Sequence, residues 1–265
     1  MEKLDLSFEE YLALPGVNWS SLKHYDRSPA HYRQAIGQER EQTPAMQTGS
    51  ALHALVLEGE LAFSSRYVVA PVGIDRRTKA GKEQWAAFEA EANGKEILTG
   101  EQHESVIGMA AAILTHPRAG KLLEKCRERE LSITWTDFLT ALACKARLDG
   151  YDATNGLVVD IKSADDASPK AFERQAARML YHGQAAFYLQ GLREAGGNAA
   201  KFLFVAVERN PPHGVAVYLA DEEMIVTGNA MVAAFLERHA GCMAANAWPG
   251  YPVEVQTLSL PRWAA

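Results

Sequence analysis

The sequence predicts an α/β fold in which a central mixed β-sheet is flanked by helices. Residues 131–136 alternate between apolar and polar, and two further stretches at 141–148 and 157–161 are also typical of strands. A long helical stretch at 168–195 then separates them from an apolar strand at 202–207. Strands and helices in this order favour a sheet with helices on both faces.

The 265-residue chain has the composition of a globular protein, with 48% hydrophobic and 23% charged residues. This composition excludes a mainly disordered chain. No uninterrupted apolar run approaches ~20 residues, so we expect no membrane span, and the acidic N-terminus does not resemble a signal peptide. Cys126, Cys144 and Cys242 are far apart and form no C-x-x-C motif. This spacing argues against a disulfide scaffold or an iron–sulfur site and favours a reducing cytoplasm.

The net charge of −6 at neutral pH lowers the expectation of a nucleic-acid-binding protein, since such proteins usually present a basic surface. It does not exclude one, because a bound metal ion adds positive charge that the count omits. No repeat or shift in composition marks an internal boundary. We therefore expect a single domain over 1–265, with a helical N-terminal portion over about 1–127 and a catalytic core over about 128–265.

The N-terminal portion carries several helix-start signals. Ser7 with Glu10 three residues later is typical of a capping box, Asn18 can begin a second helix, and Ser28 before a proline can begin a third. The pattern also predicts strands at 66–70 and 214–219, a basic loop at 75–82, and helices at 49–57, 83–93, 100–115, 117–126 and 221–245.

The main candidate for chemistry is a hairpin whose strands are joined by the tight-turn signal Asn155-Gly156. Asp160 and Lys162 are two residues apart on its second strand, so their side chains leave the same face. Asp149 ends the first strand, which brings two carboxylates beside one lysine. Such carboxylates repel unless a cation lies between them, and hard oxygen ligands suit Mg²⁺ or Mn²⁺. The lysine could orient or deprotonate a water, or offset charge in a transition state.

Each of these features also has a purely structural interpretation. An isolated D-x-K on a hairpin is usually a surface salt bridge. His53, one helical turn after Gly49, could be a core histidine. Gln184 and Tyr188 share one face of the long predicted helix and could simply form its half-buried side.

Taken in order, G-x-x-x-H, L-D-G, D-x-K and Q-x-x-x-Y resemble the motif set of the RecB-like nucleases of the PD-(D/E)xK superfamily. Asp160 stands where the D-x-K motif of these nucleases usually has a glutamate. Within the superfamily the chain is most similar to the C-terminal nuclease domain of the RecE exonucleases (exonuclease VIII). The similar segments are 20–22, 28–32, 69–71, 76–83, 130–135, 181–188 and 257–264. The resemblance implies a restriction-endonuclease-like core.

The resemblance also implies a set of metal ligands. His53, Asp149 and Asp160 would bind a divalent metal together with the backbone carbonyl of Ile161, and Lys162 would contact the attacking water. The expected metal is Mg²⁺, with Mn²⁺ as a substitute and two ions per site.

Three further residues would complete the catalytic set. Glu130 would hold a second metal ion through water, although a surface strand-edge glutamate is the alternative. Gln184 and Tyr188 would position their helix against the site or touch the scissile strand.

DNA binding requires cations beyond the metal, because phosphate contacts supply most of the affinity. The candidate DNA-binding residues are Ser20, Ser21, Arg76, Arg77, Lys79, Lys82 and Arg147. The four basic residues within 76–82 form the clearest cluster, although a charge run is often only a solvated surface. The two serines could bind a phosphate at a helix start or simply cap that helix. Arg147 could equally be a solvated strand residue, and Trp19 could stack on a terminal base or pack in the core.

Proteins similar to this one are 5′→3′ exonucleases that leave a 3′ single strand at double-stranded DNA ends and form rings around DNA. The resemblance therefore implies an enzyme from a phage or prophage, and the cysteine spacing favours the cytoplasm. The resemblance also implies a homo-oligomeric ring, with a tetramer favoured over a trimer, and a RecT-like single-strand annealing partner.

One alternative function is a non-catalytic DNA-end-binding protein, but the intact Asp149, Asp160 and Lys162 argue against it. The other is a different RecB-like DNA nuclease, and the lack of a cysteine cluster argues against its iron–sulfur members.

Overall fold

A computed structural model describes residues 6–37 and 42–260. Its helices are α1 (Phe8–Ala13), α2 (Trp19–Leu22), α3 (Pro29–Ile36), α4 (Pro44–His53), α5 (Glu60–Arg66), α6 (Lys79–Ala92), α7 (Gly100–Thr115), α8 (Ala119–Lys125), α9 (Pro169–Arg178), α10 (Tyr181–Glu194) and α11 (Glu222–Ala245). Its strands are β1 (Tyr67–Val69), β2 (Glu96–Leu98), β3 (Glu128–Thr136), β4 (Ala143–Asp152), β5 (Leu157–Ala164), β6 (Lys201–Glu208) and β7 (Val215–Leu219). Part of the similar segment 257–264 lies outside the described residues. Within the described ranges, no helix is both long and apolar enough to cross a bilayer.

The five later strands form one mixed sheet in the order β3-β4-β5-β6-β7. The strands β3, β4 and β5 are antiparallel neighbours, β5 and β6 run parallel, and β7 is antiparallel to β6. This confirms the predicted α/β class with a mixed sheet flanked by helices. The short strands β1 and β2 form a separate parallel pair. The strand β2 was not predicted from the sequence.

Helices cover both faces of the five-stranded sheet. On one face α10 packs on β3, β4 and β6, and Phe187 meets Trp135 with ring centroids 4.8 Å apart. On the other face α4, α7 and α8 pack on the sheet, where the buried side chains of Met109 and Ile113 join that of Ile161 in one apolar cluster. Because β5 is central, it receives side chains from α10 on one side and from α4 on the other.

The helix predicted over 168–195 is interrupted, which corrects the sequence analysis. The helix α9 ends at Arg178 and α10 begins at Tyr181, while Leu180 adopts a left-handed conformation with φ of 56°. A non-glycine residue in that conformation costs roughly 1–2 kcal/mol. No glycine or proline marks the break, so local sequence could not reveal it. The buried face of α10 packs against the sheet, and this packing offsets the cost.

The segment predicted as a basic loop at 75–82 is partly helical. The helix α6 begins at Lys79, and the side chain of Thr78 caps it by accepting a hydrogen bond from the Gly81 N–H at 3.0 Å. Lys79 and Lys82 therefore lie on the first turn of a helix and not in a loop. Threonine is a favoured N-cap residue, so Thr78 was an available signal for the start of this helix.

A buried lysine anchors the N-terminal helix over β4. The predicted capping box at Ser7 is present and begins α1. At the other end of α1, Lys145 Nζ donates hydrogen bonds to the carbonyl oxygens of Tyr11, Leu12 and Leu14 at 3.0, 2.9 and 2.6 Å. The last carbonyls of a helix have no partner within it, and they favour a cation. Lys145 therefore satisfies the C-terminal end of α1 and holds it against the sheet.

Candidate functional site

The candidate site lies where β4 and β5 separate. These strands pair only as far as Gly150 and Val159, so Asp149 and Asp160 lie just inside the fork. The Asp149 Oδ2 atom accepts a hydrogen bond from the Ile161 N–H at 2.7 Å. This carboxylate thus satisfies a backbone donor that β4 no longer pairs. The strand β4 continues to Asp152 and does not end at Asp149 as the sequence suggested.

Asp160 and Lys162 share one face of β5, as the two-residue period of a strand predicts. Asp160 is 2% exposed; its Oδ1 accepts a hydrogen bond from Gln184 Nε2 at 2.8 Å, and its Oδ2 lies 2.6 Å from Lys162 Nζ. Burial raises the pKa of Asp160 to about 6, although Lys162 opposes this shift. Burial lowers the pKa of Lys162, but Asp160, Tyr181 and Asp149 together outweigh this effect and raise the pKa above its normal value. The ring of Tyr181 lies 5.0 Å from the same ammonium.

His53 reaches the fork from the end of α4. Its Nδ1 lies 3.4 Å from Asp149 Oδ1, and its Nε2 lies 3.2 Å from the Ile161 carbonyl oxygen. Burial lowers the pKa of His53, but the Asp149 carboxylate overrides this and raises it to about 9. Both ring nitrogens face oxygen acceptors, so only the doubly protonated ring can donate to both. A divalent cation between the ring and these oxygens would take the place of one proton.

Glu130 enters the same group from β3. Its neighbours Arg129 and Leu131 pair with Gly150 and Leu148, which flank Asp149 on β4. Glu130 itself has φ of 49°, and its Oε2 lies 2.6 Å from Arg147 Nε. Burial and the Asp149 carboxylate raise the pKa of Glu130. His53, Glu130 and Asp149 each offer one ligand atom within 4.8 Å of the others. Glu130 therefore lies close enough to His53 and Asp149 to bind the same metal ion directly, without a bridging water.

This donor set fits a hard divalent cation. One imidazole and the carboxylates of Glu130 and Asp149 converge on one point, and such ligands suit Mg²⁺ or Mn²⁺. Asp160 is not one of these three residues, and its two oxygens contact Lys162 and Gln184. A cation that also binds Asp160 would share that carboxylate with the lysine ammonium.

The helix α10 supplies the two residues predicted to share one face. Gln184 contacts Asp160, as described above, and Tyr188 lies one turn further along and is partly buried. Burial raises the pKa of Tyr188 well above its normal value, and the neighbouring phenol of Tyr11 and the carboxylate of Asp160 act in the same direction. The Tyr188 hydroxyl therefore keeps its proton at neutral pH and can donate a hydrogen bond.

The predicted basic cluster is exposed beside and within α6. Arg77 forms an ion pair with Asp75 at 2.9 Å, and the Arg76 guanidinium lies 4.1 Å from the ring centre of Trp85. The side chain of Arg77 is 91% exposed. Exposed ion pairs contribute little free energy, so a phosphate could replace Asp75.

The other predicted DNA contacts have partners within the protein. Ser21 Oγ donates to the Asn18 carbonyl oxygen at 3.0 Å. The residue that caps α2 is Asn18, whose Oδ1 accepts a hydrogen bond from the Ser21 N–H at 2.9 Å, so neither predicted serine is the N-cap; Ser20 is exposed. Arg147 is engaged by Glu130 and also donates to Ser132 Oγ at 2.9 Å. Trp19 is buried, so the suggestion that it stacks on a DNA base is wrong.

Two aromatic residues beside the site, Tyr181 and Tyr11, were not predicted from the sequence. Tyr181 places its ring next to Lys162, and its position three residues before Gln184 in a similar segment was an available signal. Tyr11 is buried near Arg147 and Tyr188. It reaches the site only because α1 docks on β4, so no local pattern could indicate it.

The family model described as "PDDEXK-like domain of unknown function (DUF3799)" matches residues 18–260, a range that includes all the residues of the fork. The chain belongs to this family. Membership of this PDDEXK-like family places the chain in the PD-(D/E)xK nuclease superfamily, as the order of its motifs predicts.

The chain is also similar to two solved structures. A protein from Eubacterium rectale described as a "putative exonuclease" is 13% identical, with a TM-score of 0.61, and the match covers 95% of this chain and 97% of that one. A phage-related exonuclease from Haemophilus somnus 129PT is 14% identical, with a TM-score of 0.35 and coverage of 75% and 95%. The first likeness supports the fold. No curated protein matches the chain.

Proposed function

We propose that this PDDEXK-like protein is an Mg²⁺-dependent 5′→3′ exodeoxyribonuclease. It would degrade linear double-stranded DNA from its ends and leave 3′ single-stranded tails for recombination by strand annealing. The supporting observation is the convergence of Asp149, Asp160 and Lys162 with His53 at the fork between β4 and β5. Membership of the superfamily supports a nuclease, and the resemblance to the RecE exonucleases supports action on duplex ends.

Each residue of the fork has a role in this proposal. His53, Asp149, Asp160 and the Ile161 carbonyl would hold the metal, and the position of Glu130 makes it a further ligand. When bound, the metal polarises the scissile phosphate and lowers the pKa of a water ligand. Two ions per site, with Mn²⁺ able to replace Mg²⁺, remain part of the proposal.

Lys162 acts as a positive charge and hydrogen-bond donor in this proposal. Asp160 and Tyr181 fix its ammonium, and its raised pKa keeps it protonated at neutral pH. A protonated lysine can orient the attacking water and offset negative charge in the transition state, but it is a poor base. Gln184 holds the Asp160 carboxylate in place, and Tyr188 offers a further donor on the same face.

The wider biological setting is also proposed by resemblance. The partners would be double-stranded DNA ends and a RecT-like annealing protein, and the enzyme would act in the cytoplasm as a homo-oligomeric ring, with a tetramer favoured over a trimer. A ring would reconcile the net charge of −6 with DNA binding, since only its lumen needs to be positive. The exposed cations Arg76, Arg77, Lys79 and Lys82 are the candidates for phosphate contacts.

One experiment tests this function. Linear duplex labelled at either the 5′ or the 3′ end, and covalently closed circular DNA, are incubated with the protein with and without Mg²⁺. We expect early release of the 5′ label, retention of the 3′ label on single strands, and an intact circle. Binding of ends without any cleavage would favour the non-catalytic DNA-end-binding protein. Cleavage of the closed circle would favour a different RecB-like nuclease.

A further inference from the structure

An open cleft of about 720 Å³ adjoins the fork. His53, Glu130 and Arg147 line it on the side of the candidate metal site, and Ser7 and Phe8 line it from α1 and its N-cap. The family match begins at residue 18, so a segment outside the matched range forms part of this cleft.

The cations that line the cleft are already engaged within the protein. Arg147 pairs with Glu130, Arg66 pairs with Glu58 at 2.6 Å, and Lys95 donates to a backbone carbonyl at 2.8 Å. Phosphate binding by these side chains would require breaking those contacts. An exposed aromatic face is the other feature by which proteins hold a DNA strand without reading its sequence.

Phe8 provides such a face. This residue is 53% exposed, and it lines the cleft together with His53 and Glu130. The next apolar residue on the same helix face is Leu12, which is also 53% exposed but does not line the cleft. These two residues therefore lie on the same helix and are equally exposed, but only Phe8 borders the cleft.

Contacts at both ends of α1 hold the helix that carries Phe8. Arg147 Nη1 donates to the Leu6 carbonyl at 2.7 Å on one side of the capping box, and Lys145 binds three carbonyls at the other end of α1. Phe8 also stacks on Tyr11, with ring centroids 6.4 Å apart and planes inclined by 27°. A ring held in place before binding loses little entropy when a base stacks on it.

We propose that Phe8 forms a nucleobase-stacking subsite that holds one base of the DNA strand entering the cleft. The proposal rests on the proposed nuclease function and names a contact that the metal site alone does not supply. Stacking on an aromatic ring is tolerant of base identity, because every base has a π-face. The subsite would therefore fix the position of the strand without selecting a sequence.

The test uses the full chain in EDTA, so that DNA is not cut, and duplex DNA whose unpaired 5′-terminal base is 2-aminopurine. Stacking on an aromatic ring changes the fluorescence of this base. We expect the parent protein, Phe8→Tyr and Leu12→Ala to alter the fluorescence and to bind with similar affinity. Phe8→Ala should lose the fluorescence change and bind more weakly by a factor of about 5 to 150. With Mg²⁺, its KM should rise more than its kcat falls.

The outcomes separate the two proposals. If the parent cleaves DNA ends but Phe8→Ala matches it in fluorescence change and affinity, the stacking subsite is wrong and the nuclease function stands. An equal loss in Leu12→Ala would also overturn the subsite, since that residue has no access to the cleft. A parent protein that neither binds nor cleaves DNA would overturn both.

Discussion

Lys162 Nζ lies 2.6 Å from Asp160 Oδ2, with the two side chains 17% and 2% exposed. A buried carboxylate without a partner is costly, so the lysine stabilises the ionised form of Asp160 in the absence of metal. Gln184 holds the other oxygen of the same carboxylate. This arrangement fixes Asp160 at the fork before any cation binds.

The first prediction concerns this carboxylate. Asp160→Asn keeps the size of the side chain but removes its charge, so we expect DNA cleavage to fall at least ~10²-fold while DNA binding remains measurable. Excess EDTA should abolish cleavage by the parent protein, and Mg²⁺ or Mn²⁺ should restore it. The matched control is Asp165→Asn, because the side chain of Asp165 is 83% exposed. Undiminished cleavage in EDTA would contradict a metal-dependent site.

The second prediction concerns Lys162. We expect Lys162→Ala to lower the single-turnover rate by about 10²-fold or more. Its Mg²⁺ affinity should be unchanged or higher, because a competing cation has gone. Lys162→Arg should restore little activity, since a guanidinium lacks the compact geometry of an ammonium. A near-normal single-turnover rate in Lys162→Ala would remove the lysine from the mechanism.

The third prediction concerns protons at His53. The Asp149 carboxylate outweighs burial and raises the pKa of His53 to about 9, so the ring is charged at pH 7 without metal. A metal ligand must be neutral imidazole, so Mg²⁺ binding should release a proton and strengthen as pH rises from 6.5 towards 9. The ion pair between His53 and Asp149 also stabilises the metal-free fold. This contribution is fully present below pH 6.5 and is lost as the pH rises through about 9.

Calorimetry of Mg²⁺ binding in two buffers with different ionisation enthalpies measures this proton release directly. His53→Ala should bind Mg²⁺ more weakly and abolish the pH dependence between 6.5 and 9. Equal apparent enthalpies in both buffers at pH 7 would show that His53 loses no proton and is not a ligand.

The fourth prediction concerns the basic cluster. If Arg76 and Arg77 both contact phosphate, their double replacement by alanine should reduce the slope of log affinity against log salt by roughly 2. Cleavage at saturating DNA should change less than binding. The matched control is Lys121→Ala with Lys125→Ala, which removes two exposed cations from α8. Identical salt slopes for the parent and the arginine variant would show that this segment is only a solvated surface.

The fifth prediction concerns the anchor of α1. Lys145→Met removes hydrogen bonds to three carbonyls, so we expect a loss of about 1–3 kcal/mol in the free energy of unfolding. The N-terminal segment should also become sensitive to limited proteolysis. Lys201→Met, at an exposed position on β6, is the control. Unchanged proteolysis in Lys145→Met would show that other contacts hold α1.

Local signals predicted much of the fold. The capping box at Ser7, the helix Gly100–Thr115 and the hairpin around Gly156 all form as their sequences indicate. The break at Leu180 could not be predicted, because it depends on packing that offsets a strained conformation. The burial of Trp19 likewise follows from its contacts with Phe187 and Phe235, with ring centroids 6.2 and 6.3 Å away, and those residues are distant in sequence.

By itself the sequence determined which side chains share a face: Asp160 with Lys162 on a strand, and Gln184 with Tyr188 on a helix. These relations follow from the fixed periods of strands and helices. Only the tertiary structure decided that His53 meets the Ile161 carbonyl, 108 residues further along the chain. That contact exists because α4 packs on β5 at the point where β4 separates from it. Such distances depend on packing between distant elements, which no local pattern encodes.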